Sequence, residues 1–292
     1  MSEDIGDERN GQMKNLFLSA YAVNFCDHEK MHELLRACSF AGMGAELSMF
    51  SKKSKHPDFM ETLMQVKDSF GAYDVSFHGP YFEVEATSPL DSEAHRDMID
   101  AYRESFEVYE AFSAESIVMH TNQKIKLSED NSDLQNNAIE TIKEIGAMAR
   151  EKGVNLLVEN VGNRFTGNVL FPYEEFIQLF DRIPEDIGCL IDVGHAFHNG
   201  WDVVELVKRL GSRIKAYHLH NNDGEHDTHR LMFTEGQYYT VEDWKSLMIA
   251  MEEYSPNASW ILEYAPGEQI SNESVVEDVR KLLGLRRELG FE

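Results

Sequence analysis

Eight short apolar runs, each followed by a longer stretch of helical spacing, recur along this chain. They are LFLSAYAV (16–23), GMGAELSMF (42–50), AYDVSFHG (72–79), ESIVMHT (115–121), NLLVEN (155–160), GCLIDVG (188–194), IKAYHLH (214–220) and SWILEY (259–264). Each is about strand length, and several are rich in Val, Ile and Leu. The intervening stretches carry helix signals. Ile99, Tyr102, Phe106 and Tyr109 repeat every three or four residues between Asp91 and Phe112, with Asp91 and Ser92 offering N-cap oxygens. A second helix is expected from Asp133 to Lys152, stopped by Gly153. A third opens at Pro172, whose missing N–H is harmless in a first turn. Eight β-plus-α units in sequence imply a parallel sheet, and eight close on themselves. A doubly wound open sheet usually carries a glycine-rich turn after its first strand; AYAVNFCD offers none. The expected fold is α/β, a single (β/α)8 TIM barrel over residues 14–292, with residues 1–13 a polar, flexible tail. The 292-residue length suits this architecture, which typically takes about 250 residues.

Composition narrows the partners. No apolar run approaches the roughly 20 residues of a membrane span, and the polar start lacks the apolar segment of a signal peptide. The three cysteines, Cys26, Cys38 and Cys189, show no pairing pattern, which fits a reducing, cytoplasmic setting. Acidic residues outnumber basic ones 52 to 27, for a net charge of −25. Such a field repels polyanions, so no nucleic-acid partner is expected. A small molecule is the expected partner, and a homo-oligomer is compatible with the composition.

Catalytic groups of a barrel come from the C-terminal ends of its strands. Here the third to eighth runs end in His78, His120, Glu159, Asp192, His220 and Glu263, with His195 just beyond the sixth and Asp227 and His229 beyond the seventh. One histidine or carboxylate at such a position is ordinarily a hydrogen-bonded or solvated residue. A convergent set is different, because buried charges are paired or bound to metal. Strand alternation places His218 on the same face as His220, one layer deeper, and gives Leu157 and Ile261 the inward face of Glu159 and Glu263.

The segments SFHGPY, VMHTN, LVEN, IDVGHAF, YHLHNNDG with its following DTH, and ILEY resemble the xylose isomerase-like barrel superfamily, which includes ketose epimerases and the family-2 AP endonucleases. The resemblance runs from about Asn15 to Phe291. It implies two alternative site templates. In the epimerase-like one, Glu159, Asp192, His220 and Glu263 hold a single ion, Glu159 and Glu263 are the catalytic acid–base pair, and His195 orients a substrate hydroxyl. In the endonuclease IV-like one, His78, His120, His195, Asp227 and His229 are additional ligands and three zinc ions are held. All nine positions are filled. An arginine follows the strand-seven histidine by six positions in ketose epimerases; here that position is His226. The one basic cluster near the expected mouth is SKKSKHP, where Lys53, with Lys52 and Lys55, is expected to contact an anionic group of a small substrate.

Three carboxylates and one imidazole make an oxygen-rich ligand set suited to Mn2+, Mg2+ or Co2+, and also to Zn2+. The expected activity is metal-dependent isomerisation or epimerisation of a sugar or sugar phosphate through an enediolate. The alternative is phosphoester hydrolysis at a multinuclear zinc site, so one to three ions are expected.

Overall fold

The computed structural model describes residues 15–234, 236 and 238–291. The tail expected over residues 1–13 lies outside the described residues. Eight parallel strands form a closed barrel in sequence order. They are β1 (Leu16–Ser19), β2 (Gly44–Ser48), β3 (Val75–His78), β4 (Ile117–His120), β5 (Leu156–Glu159), β6 (Gly188–Asp192), β7 (Ile214–Leu219) and β8 (Ser259–Leu262). The expected (β/α)8 TIM barrel is therefore the observed fold. Nine α-helices among the described residues surround it: α1 (His28–Ala37), α2 (Phe59–Val66), α3 (Glu93–Phe112), α4 (Ser132–Lys152), α5 (Tyr173–Arg182), α6 (Val193–His198), α7 (Val203–Leu210), α8 (Val241–Tyr254) and α9 (Asn272–Glu288). None is long and apolar enough to cross a membrane.

The helix signals act as expected. Ser92 caps α3 by accepting from the His95 N–H, Gly153 ends α4 at φ 69°, and Pro172 precedes α5. Two apolar runs are shorter as strands than they look. β1 stops at Ser19, whose hydroxyl accepts from the Tyr21 N–H and starts a 3-10 turn over Ala20–Val23. β6 stops at Asp192, whose carboxylate caps α6 by accepting from the His195 N–H at 2.6 Å.

Alternation sorts the barrel interior into two tiers. The lower tier is a plug of Phe17, Val118, Leu157, Leu190, Ala216 and Ile261, all buried. Gly44 makes room for it: a Cβ there would meet Phe17 Cε1 at 2.6 Å and the Asp74 carbonyl at 2.5 Å. Outward-facing residues such as Tyr217 and Leu219 join the larger core between strands and helices. Two residues further along β4 to β8, toward the C-terminal mouth, the inward side chains become ionisable: His120, Glu159, Asp192, His218 and Glu263.

Candidate metal centre

The upper tier gathers Glu46, Glu159, Asp192, His218, His220 and Glu263, all buried. Around them His78, His120, His195, Asp227 and His229 complete the mouth. The structure brings these groups together in overlapping sets, each able to present three ligand atoms within 4.8 Å of one another. His78, His120 and Glu159 form one; His195, Asp227 and His229 another; His220, His229 and Glu263 a third. The four residues expected to share one ion are divided. Glu159 and Asp192 converge with His218, whereas Glu263 converges with His220 and His229. His220 still touches Asp192, its Nε2 lying 3.1 Å from Oδ1.

The imidazoles are oriented by backbone carbonyls. Nδ1 of His78 faces the Gly79 carbonyl at 3.1 Å, that of His195 the Asn160 carbonyl at 3.0 Å, and that of His229 the Glu263 carbonyl at 3.2 Å. A carbonyl only accepts, so each Nδ1 carries the hydrogen and each Nε2 is left to face inward, the arrangement that orients metal-binding histidines. Nε2 of His195 and of His229 then approach the same Asp227 Oδ2, at 3.0 and 3.2 Å. Nε2 of His78 and His120 lie 3.1 Å apart, with Glu159 Oε2 at 3.6 and 3.2 Å from them. Glu159 Oε2 is buried and receives no hydrogen bond. Facing lone pairs around a buried carboxylate oxygen need a shared positive charge, so the donor set fits a divalent cation.

The electrostatics agree. Burial disfavours charge on Glu159, but the His120 and His218 imidazoles outweigh it and hold the carboxyl well below its usual range. Asp192, likewise buried, is brought down to about 2 by His195 and His220. In return, Asp192 and Asp227 overcome burial and hold His195 well above the ordinary histidine range, and Asp227 with Glu263 raises His229 to about 9. The carboxylates thus demand positive charge from imidazole protons or from a cation.

Gly194 of the IDVGHAF segment is part of this construction. A Cβ at that position would lie 2.0 Å from His220 Cε1, so the ring occupies the space a side chain would fill. Asn160 ties β5 to β6, accepting from the Asp192 N–H at 2.8 Å and donating to its carbonyl at 2.9 Å.

Neither Lys53 nor His226 is among the described residues lining the cavity. Lys53 lies on an exposed loop and its Nζ is 2.6 Å from Asp97 on α3, with Glu93 at 3.4 Å. It is absent from the cavity lining, and Lys52 is taken up by Glu104 at 2.6 Å. His226 is exposed and turned to Asp223 at 3.2 Å.

Sequence reasoning also missed residues. Glu46, in the middle of β2, is fully buried and its Oε2 lies 3.1 Å from His218 Nε2. The other nitrogen of that ring, Nδ1, lies 3.4 Å from Glu263 and 3.6 Å from Glu159. An ionisable residue inside the apolar run GMGAELSMF was the available signal. Tyr21, Phe25, Tyr81, Asn122, Gln123, Asn163 and Asn168 line the cavity above the carboxylates, which measures about 270 Å³.

Comparison with known proteins accords with this geometry. A family model described as a xylose isomerase-like TIM barrel matches residues 34–283. The chain is 25% identical over 190 residues to an uncharacterised protein of Methanocaldococcus jannaschii, covering 64% of each chain. It is 26% identical over 157 residues to a probable endonuclease 4 of Thermosipho melanesiensis, covering 48% of this chain and 54% of that one. The matches thus span less than two thirds of these relatives' lengths. Among solved structures, a D-tagatose 3-epimerase-like protein superposes with a TM-score of 0.74 at 18% identity, over 94% of this chain and 98% of the other. An IolI protein with a bound zinc atom superposes at 0.72 and 14% identity, over 94% and 99%. These superpositions establish likeness of fold. With the family model covering most of its length, the chain belongs to the xylose isomerase-like TIM-barrel family.

Proposed function

We propose that the protein is a divalent-metal-dependent isomerase or epimerase acting on a small carbohydrate. The observation that carries this reading is the pair Glu159 and Glu263. Both carboxylates line the same cavity, from strands on different sides of the β6–β7 ligands, and both lie within 3.6 Å of one buried imidazole nitrogen. Support comes from the fold likeness to sugar epimerases and from the zinc in the IolI structure.

Glu159, Asp192, His220 and Glu263 would hold the ion, with His78, His120, His195, Asp227 and His229 able to hold others. A bound divalent ion supplies Lewis acidity toward the substrate's oxygens. The chain's own groups supply the proton transfers. One glutamate takes the proton from the carbon beside the carbonyl, and the other returns one to the opposite face. His195, which lines the cavity and is held by Asp227, would orient a substrate hydroxyl. Tyr21 and Tyr81 are also in the lining.

A second reading has its own observation. The His78–His120–Glu159 and His195–Asp227–His229 sets would suit a multinuclear zinc hydrolase of the endonuclease 4 kind. The net charge of −25 opposes a polyanionic substrate, which favours the first reading. The deciding experiment is solvent exchange in heavy water. The wild type should wash deuterium into a carbon-bound position of a sugar, and Glu263→Gln should abolish this, because an amide cannot accept the proton. Cleavage of an abasic-site duplex, without exchange on any sugar, would refute the isomerase reading.

A further inference from the structure

The cavity above the carboxylates has two unlike walls. One is aromatic. The Tyr21 and Phe25 rings stack at 5.1 Å with 14° between their planes, and Phe25 is buttressed edge-on by Phe50 at 5.5 Å. Phe25 holds this place from a left-handed backbone (φ 66°), which a bulky side chain rarely adopts. The turn is fixed by the Phe25 N–H donating to the Ala20 carbonyl at 2.8 Å. Such strain is sustained where the surroundings demand the ring's position.

The facing wall is made of amides. Asn122, Gln123, Asn163 and Asn168 line it from the loops after β4 and β5. All four are anchored: Asn122 Nδ2 donates to the Asn168 carbonyl at 3.0 Å, Gln123 Oε1 lies 3.2 Å from His120 Nδ1, Asn163 Oδ1 accepts from the Phe165 N–H at 2.8 Å, and Asn168 Oδ1 accepts from the Asn163 N–H at 2.8 Å. Side-chain amides both donate and accept, which matches hydroxyl groups.

The lysines and arginines are elsewhere. No lysine or arginine is among the described residues lining the cavity. Arg164, on the loop after β5, lies over the Phe165 ring at 4.8 Å, and Arg230 is turned to Asp223 at 3.6 Å. Phosphate groups are held by such side chains or by free N–H groups at a helix start. The helix that starts at the cavity floor, α6, already directs an N–H at the Asp192 carboxylate.

We propose that this cavity takes an uncharged polyhydroxylated carbohydrate, its C–H face against Tyr21 and Phe25 and its hydroxyls on the amide wall, and discriminates against the corresponding phosphate ester. This deepens the isomerase reading and rests on it for the carbohydrate nature of the ligand.

The test is calorimetric titration of the full-length, Mn2+-loaded protein with three matched pairs: D-tagatose and its 6-phosphate, D-fructose and its 6-phosphate, and myo-inositol and its 1-phosphate. At least one neutral member should bind tenfold or more tighter than its phosphate. Phe25→Ala should weaken that binding at least tenfold at unchanged metal content, and Phe25→Leu, which keeps bulk without the ring, should weaken it in the same direction. The proposal is overturned if no neutral member binds, if the phosphate is the tighter partner in every pair that binds, or if both Phe25 variants bind as the wild type does. Deuterium exchange on the same samples separates this from the parent reading. Neutral binding without exchange refutes the isomerase but leaves the ligand class standing; exchange with phosphates alone does the reverse.

Discussion

The lower and upper halves of the barrel interior are built by the same strands and follow one side-chain alternation, yet they do opposite work. Phe17, Leu157 and Ile261 fill the bottom with carbon and nothing else. One step up the same strands, Ser19, Glu159 and Glu263 face the same axis as polar or charged groups. Burying the lower set releases apolar surface from water and stabilises the fold. Burying the upper set works against folding unless positive charge accompanies it. The barrel thus uses its plug to hold in place a tier that the chain would not gather on its own.

The sharpest way to break this contrast is to change one member of each tier. Asp192→Asn and His220→Ala should each lower metal affinity by more than ~100-fold, beyond the usual effect of residues that merely support ligands. Elemental analysis of the purified variants would show this, with activity lost in step and the fold intact by circular dichroism. Full metal content in either variant would remove that residue from the ligand set. Phe17→Ala should do the reverse. Its buried ring leaves a cavity worth about 3–5 kcal/mol of stability, measured by urea denaturation, while metal per folded molecule is unchanged.

Glu46 and His218 belong to the upper tier and test how far its members act on the metal. The imidazole is pinned from below by Glu46 and faces Glu159 and Glu263 above. Glu46→Gln preserves shape but removes the charge that orients the ring. Metal affinity is expected to fall about 10- to 100-fold, less than for a ligand, and Glu46→Asp should recover part of it. An unchanged affinity in Glu46→Gln would make the pair a packing element of the plug.

How far the sequence discloses this division follows from the range of the forces involved. Strand order, the helix stop at Gly153, the helix start at Pro172, and the inward faces of Leu157 and Ile261 are local or periodic properties and could be read directly. The strand-end histidines and carboxylates were legible because a barrel sends every strand end to one mouth. Glu46 was not, since its partner is 172 residues away and a lone glutamate reads as a rim residue. Phe25 was not, because the apolar run at 16–23 reads as one strand, whereas Ser19 ends it and a turn carries the ring into the cavity.

Lys53 marks the same limit from the other direction, and gives the smallest predicted effect. Its loop reads as a basic patch at the mouth because a local window contains three lysines and no acid. The folded chain lays that loop against α3, whose Asp97 and Glu93 neutralise it. Both partners are solvated, so the pair is worth little. Lys53→Ala should leave stability close to that of the wild type and the KM for any accepted sugar unaltered, whereas Phe25→Ala should raise that KM. A KM raised severalfold by Lys53→Ala, with kcat unchanged, would mean that the loop swings from α3 to the substrate. It would also restore an anionic group to the list of features the cavity recognises.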